Sequence, residues 1–156
     1  MFWKSAFANF LSLSLSPEQR ALIDPDLCAL REAGRELTLA DYQLALNQRA
    51  EIAVAAKAFF NAYDLLLSPV MPIQPFAADR LGPPGIARDD WSWCPFTWIF
   101  NLTRQPAASV PCGFTADGLP VGLHIVGPLY GDALVLRAAR AFERARPMHD
   151  RHPLPM

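Results

Sequence analysis

An Asp-Gly dipeptide at Asp117-Gly118, set between two apolar runs, constrains this chain more than any other feature. Ala107 to Phe114 is rich in small and β-branched residues, and Leu119 to Val126 forms the second run. Glycine takes a positive φ without steric cost, so the pattern predicts a β-hairpin. Both runs are apolar at nearly every position instead of alternating. Strands covered on both faces read this way, so the hairpin is expected inside a larger sheet, with the rest of the chain packed onto it.

Taken in order, the chain predicts helices first. Phe2 to Leu13 reads as the tail of a helix without its own N-cap, as if cut from something longer. Ser16-Pro17-Glu18-Gln19 is a helix start, with Ser16 as cap and Gln19 closing a capping box. Asp24-Pro25 repeats the device for a short helix ending near Gly34, a natural left-handed cap. Thr38 to Asp41 opens the longest helix, on which Leu39, Tyr42, Leu46, Ala53, Ala56, Phe60 and Tyr63 share one stripe. Asp64 to Val70 is a short buried strand. Met71 to Pro95 is irregular and proline-rich, a length of loop that is usually functional or flexible.

Trp91, Trp93, Phe96 and Trp98 follow at once, either lining an apolar pocket or serving as core and subunit-contact residues. Phe96 to Leu102 predicts a single helical turn. After the hairpin, Asp132 caps a helix over 133–146, with Leu134, Ala138, Phe142 and Ala145 toward the core. We expect one partial domain over 1–156: mainly helical over 1–63, a strand over 64–70, a long loop over 71–97, and the hairpin and C-terminal helix over 98–156.

Composition excludes several classes. A chain of 156 residues at 52% hydrophobic is long and apolar enough for a core. A net charge of -1 without a basic run argues against nucleic acid and anionic membranes as partners. No apolar run approaches the roughly 18 residues of a membrane span, and the start lacks the layout of a signal peptide. Cys28, Cys94 and Cys112 form neither a zinc pattern nor a disulfide framework, so a reducing cytoplasm is the expected setting. His149 and His152 sit in a proline-flanked tail, and Glu32, Glu36, Asp41, Asp89 and Asp90 show no shared site. No metal and no cofactor are expected.

The stretch from Asn101 to Gly127 reads N-L-T-R-Q-P-A-A-S-V-P-C-G-F-T-A-D-G-L-P-V-G-L-H-I-V-G. It resembles, almost without a break, the segment N-x-T-G-x-P-A-x-S-V-P-C-G-F-x-x-D-G-L-P-V-G-L-Q-I-I-G of the amidase signature family. Tyr63 to Pro69, Y-D-L-L-L-S-P, is similar to that family's Y-D-x-L-L-T-P strand. The resemblance implies an α/β fold, the C-terminal part of the amidase signature fold, with helices packed on a mixed sheet that includes the hairpin.

The resemblance also implies a chemistry. Family members hydrolyse carboxylic amides with a Ser nucleophile, a bridging Ser and a Lys base, carried on a Gly- and Ser-rich stretch. A Ser hydroxyl needs a nearby base, and a desolvated Lys supplies one. This chain has no Gly-Gly or Ser-Ser dipeptide, and its lysines are Lys4 and Lys57 alone. The catalytic apparatus is therefore expected upstream of Met1, no catalytic residue is assigned here, and the chain by itself is expected to be inactive. The segment ahead of the family's conserved Asn borders the substrate pocket, which implicates Trp93, Cys94, Phe96, Thr97 and Trp98 in binding a small-molecule amide. In the glutamine-transferring component of the tRNA amidotransferases an Asp of this segment helps bind glutamine. Cys94 stands at that position, and a thiol does not pair with an ammonium group, so an apolar or aromatic amide fits better. Arg104 stands where the family usually has Gly; we expect the turn to tolerate it.

Two rival readings have their own features. A non-catalytic scaffold of this fold would bind a partner or a separately encoded N-terminal half. Self-association, or pairing with the missing part, is expected of its uncovered apolar surface. A thiol hydrolase would need Cys112 beside His124. A two-residue loop at Asp117-Gly118 sets Cys112 opposite Leu123, and a three-residue loop sets it opposite His124. The plainer reading is two buried residues in apolar strands.

Overall fold

The computed structural model describes residues 4–6, 15–78, 80, 82–86 and 92–148. The chain divides into two compact units, Met1–Ile52 and Ala53–Met156. Of the helix expected over Phe2 to Leu13, residues 4–6 are helical and the rest lie outside the described residues.

The first unit holds short capped helices. Helix α1 spans Pro17–Ala21. Its capping box closes in both directions: the Gln19 amide N–H donates to Ser16 Oγ at 3.3 Å, and the Ser16 N–H donates to Gln19 Oε1 at 2.9 Å. Helix α2 spans Pro25–Arg35, capped by Asp24, whose carboxylate accepts from the Asp26 N–H at 2.8 Å. Gly34 does not end it as a left-handed cap. It is buried inside the last turn, and Glu36 closes the helix in a right-handed conformation.

Helix α3 spans Leu39–Ala62. Thr38 and Asp41 form its box, with the Asp41 N–H on Thr38 Oγ1 at 3.1 Å and the Thr38 N–H on Asp41 Oδ2 at 3.0 Å. Hydrogen bonds from Thr38 to the ionised form hold the Asp41 carboxyl below the ordinary carboxylate value. The expected stripe is only partly covered. Ala45 is the buried residue, Leu46, Ala53, Ala56 and Phe60 are half-buried, and Leu39, Tyr42 and Tyr63 are exposed. Periodicity marks a face able to be covered, and burial follows only where another surface meets it. At the C-terminal end the rings of Phe59 and Tyr63 stack at 4.7 Å.

The second unit is built on a three-stranded sheet of order β1-β3-β2, with β1 at Leu66–Pro69, β2 at Ala107–Phe114 and β3 at Pro120–Val126. Every described pairing is antiparallel, so the mixed character expected of the sheet is not seen among the described strands. The central β3 is buried on both faces at His124, Ile125 and Val126. The outer β2 is not: Ala107, Ser109 and Pro111 are exposed, because no described strand or helix covers that side of it.

The hairpin loop is three residues long, Ala116 to Gly118. The Gly118 N–H donates to Thr115 O at 3.0 Å, and the Thr115 N–H donates to Leu119 O at 2.8 Å. Gly118 has φ +79°, the left-handed conformation that this loop type places on its last residue. A bulge follows, with Pro111 facing Gly122 and Gly113 facing Val121, so Cys112 is the extra residue.

Helix α4, Pro95–Thr103, is longer than the single turn expected and begins inside the stretch read as loop. Proline at its first position fixes a helical φ and gives up an N–H that has no partner there. Arg104 ends it with φ 65° and ψ 24°, its N–H on Phe100 O at 2.7 Å. The turn therefore does require the left-handed region, which is the reason glycine suits this position.

Helix α5, Asp132–Ala145, lies across one face of the sheet. Its core side is rotated by about one residue from the expected stripe. Val135 and Ala139 are buried against Val110 and Ile125, with Ala138 and Phe142 beside them, while Ala145 is exposed. Burial of these aliphatic groups is the main stabilising term, at about 25 cal/mol for each Å² of apolar surface removed from water.

Candidate binding site

The sheet face opposite α5 is the one that faces the proline-rich loop. Residues paired across strands project to the same side, and Ser68, His124 and Ser109 form one row across all three strands. Beside that row lies Gly122. A Cβ there would come within 2.8 Å of both Ser109 Oγ and Val70 Cγ2, so side chains from either side close over it.

Above this floor is an open cavity of about 690 Å³. Its loop wall is Val70 to Phe76, the run that leaves β1. Its far wall is Trp93, and its base is Ser109, Pro111, Gly122 and the start of β3. The rings of Phe76 and Trp93 meet edge to face, centroids 5.3 Å apart at 82°. Lining of this kind, mostly aliphatic, proline and aromatic, suits a flat apolar group. Polar atoms are few. Thr115 Oγ1 accepts the Leu119 N–H at 3.1 Å, which ties it into the hairpin loop. Gln74 on the loop and Ser109 on the floor are exposed.

Of the residues expected in a pocket, Trp93 lines this cavity. Cys94, Phe96, Thr97 and Trp98 belong to α4 and its N-cap and are not among the lining residues. Cys94 is the N-cap but makes no side-chain cap bond, and burial pushes its thiol above the ordinary value, so it stays protonated. Phe96 and Thr97 are half-buried, and Trp98 is exposed. Sequence reasoning passed over the loop Val70 to Phe76 as a binding wall. The alternation S-P-V-M-P-I-Q-P-F, prolines spaced by apolar residues directly after a strand, was the available signal.

The thiol–imidazole pairing does not form. The loop and the bulge set both Pro111 and Cys112 against Gly122, two positions from His124. Cys112 Sγ instead donates to Val121 O at 3.4 Å. His124 is 5% exposed, with its ring against Phe100 at 5.6 Å and Nδ1 3.5 Å from Ser68 Oγ. Burial holds its imidazole below the ordinary value, so it is neutral. The Ser68 hydroxyl donates to Pro69 O at 3.1 Å, and its Oγ lies 3.5 Å from His124 Nδ1. At 3.5 Å, with the hydroxyl directed to Pro69 O, the pair is not set as an activated nucleophile.

A second cavity of about 380 Å³ lies at the C-terminal end of α5, between Arg140, Glu143, Arg144, Arg146 and Pro111. Cations there complement the negative end of the helix dipole, and Arg140 sits 3.9 Å from Glu143. Among the described residues no group of three or more His, Cys, Asp or Glu is placed to hold a metal ion. Asp89, Asp90, Trp91, His149 and His152 lie outside the described residues. No described helix is long and apolar enough to cross a membrane.

The site is thus an apolar cavity on an α/β scaffold. The Amidase family model matches residues 15–136. The acylamidase of Rhodococcus erythropolis is 36% identical over 97% of this chain, which covers 32% of that protein. A glutamyl-tRNA(Gln) amidotransferase component of Clostridium acetobutylicum is 38% identical over 67% of the chain and 22% of its own length. Among solved structures, a bacterial aryl acylamidase of the amidase signature enzymes superposes with a TM-score of 0.74 at 30% identity, over 94% of this chain and 32% of that one. The chain belongs to the amidase signature family. It spans about a third of the length of the acylamidases it matches.

Proposed function

We propose that this chain forms one wall of the substrate pocket of an amide hydrolase, binding the apolar or aromatic part of a carboxylic amide. The observation that carries the reading is the cavity itself. Trp93 and Phe76 present an aromatic corner, and the loop from Val70 opposes it across a space large enough for a ring and its substituent. The likeness to an acylamidase and to an aryl acylamidase supports a substrate of that kind. Cys94, in place of a carboxylate, argues against an ammonium-bearing substrate such as glutamine.

The nucleophile and base come from outside this chain. Lys57 is exposed on α3, and Ser68, 3.5 Å from His124, directs its hydroxyl to Pro69 O. The chain therefore works by pairing. Exposed apolar side chains supply surfaces for this, Leu22 and Leu39 in the first unit and Leu67, Tyr130 and Leu136 in the second. In this reading Phe96, Thr97 and Trp98 border the substrate from α4 once the pairing is made, and the whole chain acts as a single partial domain.

A chimera tests the proposal. The matching segment of the Rhodococcus erythropolis acylamidase is replaced by this chain, and hydrolysis of aromatic and short aliphatic amides is compared. We expect activity, with Trp93→Ala lowering the preference for aromatic amides. A folded chimera without amide hydrolysis, or one in which Trp93→Ala changes stability alone, would sink the reading.

A further inference from the structure

We infer that Ser109 determines specificity in this cavity: its hydroxyl donates a hydrogen bond to a carbonyl oxygen of a ligand whose ring lies on Trp93. The inference rests on the reading that the cavity takes the apolar part of an amide, and it adds the polar contact that orients it.

Three observations carry it. Ser109 lines the cavity floor, is exposed, and has no side-chain hydrogen bond among the described residues. Thr115, the other hydroxyl of the lining, has its oxygen tied into the hairpin loop by the Leu119 N–H, whereas Ser109 Oγ has no such tie. Gly122 makes the placement possible. Because Gly122 lacks a Cβ, Ser109 Oγ leans over the neighbouring strand toward Val70, to a point 2.8 Å from where that Cβ would stand. The hydroxyl thus lies on the floor between two strands, at the edge of an otherwise apolar surface. A hydroxyl in such a place holds its proton for whatever fills the cavity. An apolar ligand displaces its water and leaves it unpaired, and a ligand carrying a carbonyl replaces the water. Discrimination of this kind comes chiefly from the penalty on the ligand that cannot form the bond.

The test uses the full 156-residue chain and two uncharged probes, acetanilide and N-ethylaniline, which share ring and N–H and differ in the carbonyl. Affinities are measured by NMR titration at neutral pH. The wild-type chain should bind acetanilide about two- to tenfold more tightly than N-ethylaniline, the range of one neutral hydrogen bond. Ser109→Ala should abolish that preference, and Ser109→Thr, which keeps the hydroxyl, should retain it. Gly122→Ala should abolish it as well, since the added methyl displaces the hydroxyl. A wild-type chain without preference, or a Ser109→Ala chain that keeps it, overturns the assignment. Trp93→Ala separates the two levels: if it leaves both affinities unchanged, or if neither probe binds at all, the apolar pocket itself is refuted.

Discussion

Arg104→Gly should make this protein more stable, although it deletes a large side chain and adds a flexible residue. The reason is the backbone. Arg104 sits at φ 65° and ψ 24°, where its Cβ crowds the neighbouring carbonyl. An L-residue there costs roughly 1–2 kcal/mol relative to the right-handed region. Glycine removes that cost but loses more freedom on folding, about 0.5–1 kcal/mol. The difference leaves a gain centred on about 0.75 kcal/mol, within a span of about 0–1.5 kcal/mol. Little is lost in exchange, because the Arg104 side chain is exposed and forms no ion pair among the described residues. The N–H bond to Phe100 O belongs to the backbone and survives. For a chain of this size the gain corresponds to a rise in Tm of about 1–4 °C. Urea and thermal unfolding of the wild-type chain, Arg104→Gly and Arg104→Ala would measure it. Alanine keeps the left-handed cost and should bring no gain. If glycine fails to stabilise, or alanine stabilises as much, the strain argument is wrong.

Gly127→Ala should destabilise by about 1–3 kcal/mol through overpacking, since its Cβ would meet Val135 Cγ2 at 2.6 Å in the core; denaturant midpoints report this. Acid should weaken the fold through His124. Its folded-state value is depressed by burial, so the unfolded chain takes up the proton first. The contribution is complete above the ordinary imidazole value of about 6.5 and is lost as pH falls below that toward the folded value; His124→Gln should flatten the pH dependence of Tm over that interval. Self-association through exposed apolar faces predicts a concentration-dependent sedimentation coefficient, and a monodisperse monomer that binds no apolar dye would count against it.

The hairpin was legible because its determinants are local. Asp117-Gly118 fixes a turn, and the apolar runs on either side fix the strands. The capping boxes at Ser16 and Thr38 were legible for the same reason, since a cap is completed within four residues. What the sequence hid depends on contacts between distant segments. Cys112 and His124 were separated by where the three-residue loop falls: over 116–118 it sets Phe114 opposite Pro120 and so puts Cys112 at Gly122. The stripe on α3 shows which residues share a face and cannot show whether anything meets Leu39 or Tyr63. Trp93 was singled out by the family resemblance and by the clustering of aromatics, and it stands in the cavity lining. The opposite wall, Val70 to Phe76, was missed because prolines in a loop read first as turn residues. Arg104 shows a related limit: its positive φ comes from the helix end before it, and arginine carries no sign of that conformation.

The bulge at Cys112 also governs how this sheet meets others of its kind. Among the described strands, β1 and β2 are the margins of the sheet, and a margin with a regular row of free N–H and C=O groups invites another strand to add on. Along β2, Pro111 has no N–H to offer, and the extra residue beside it throws the row out of step. β1 is four residues long and ends in Pro69. Each margin thus breaks off a growing ladder within a few residues. Copies of this chain that meet at high concentration should join through side-chain surfaces into bounded assemblies, and not through strand addition into fibres.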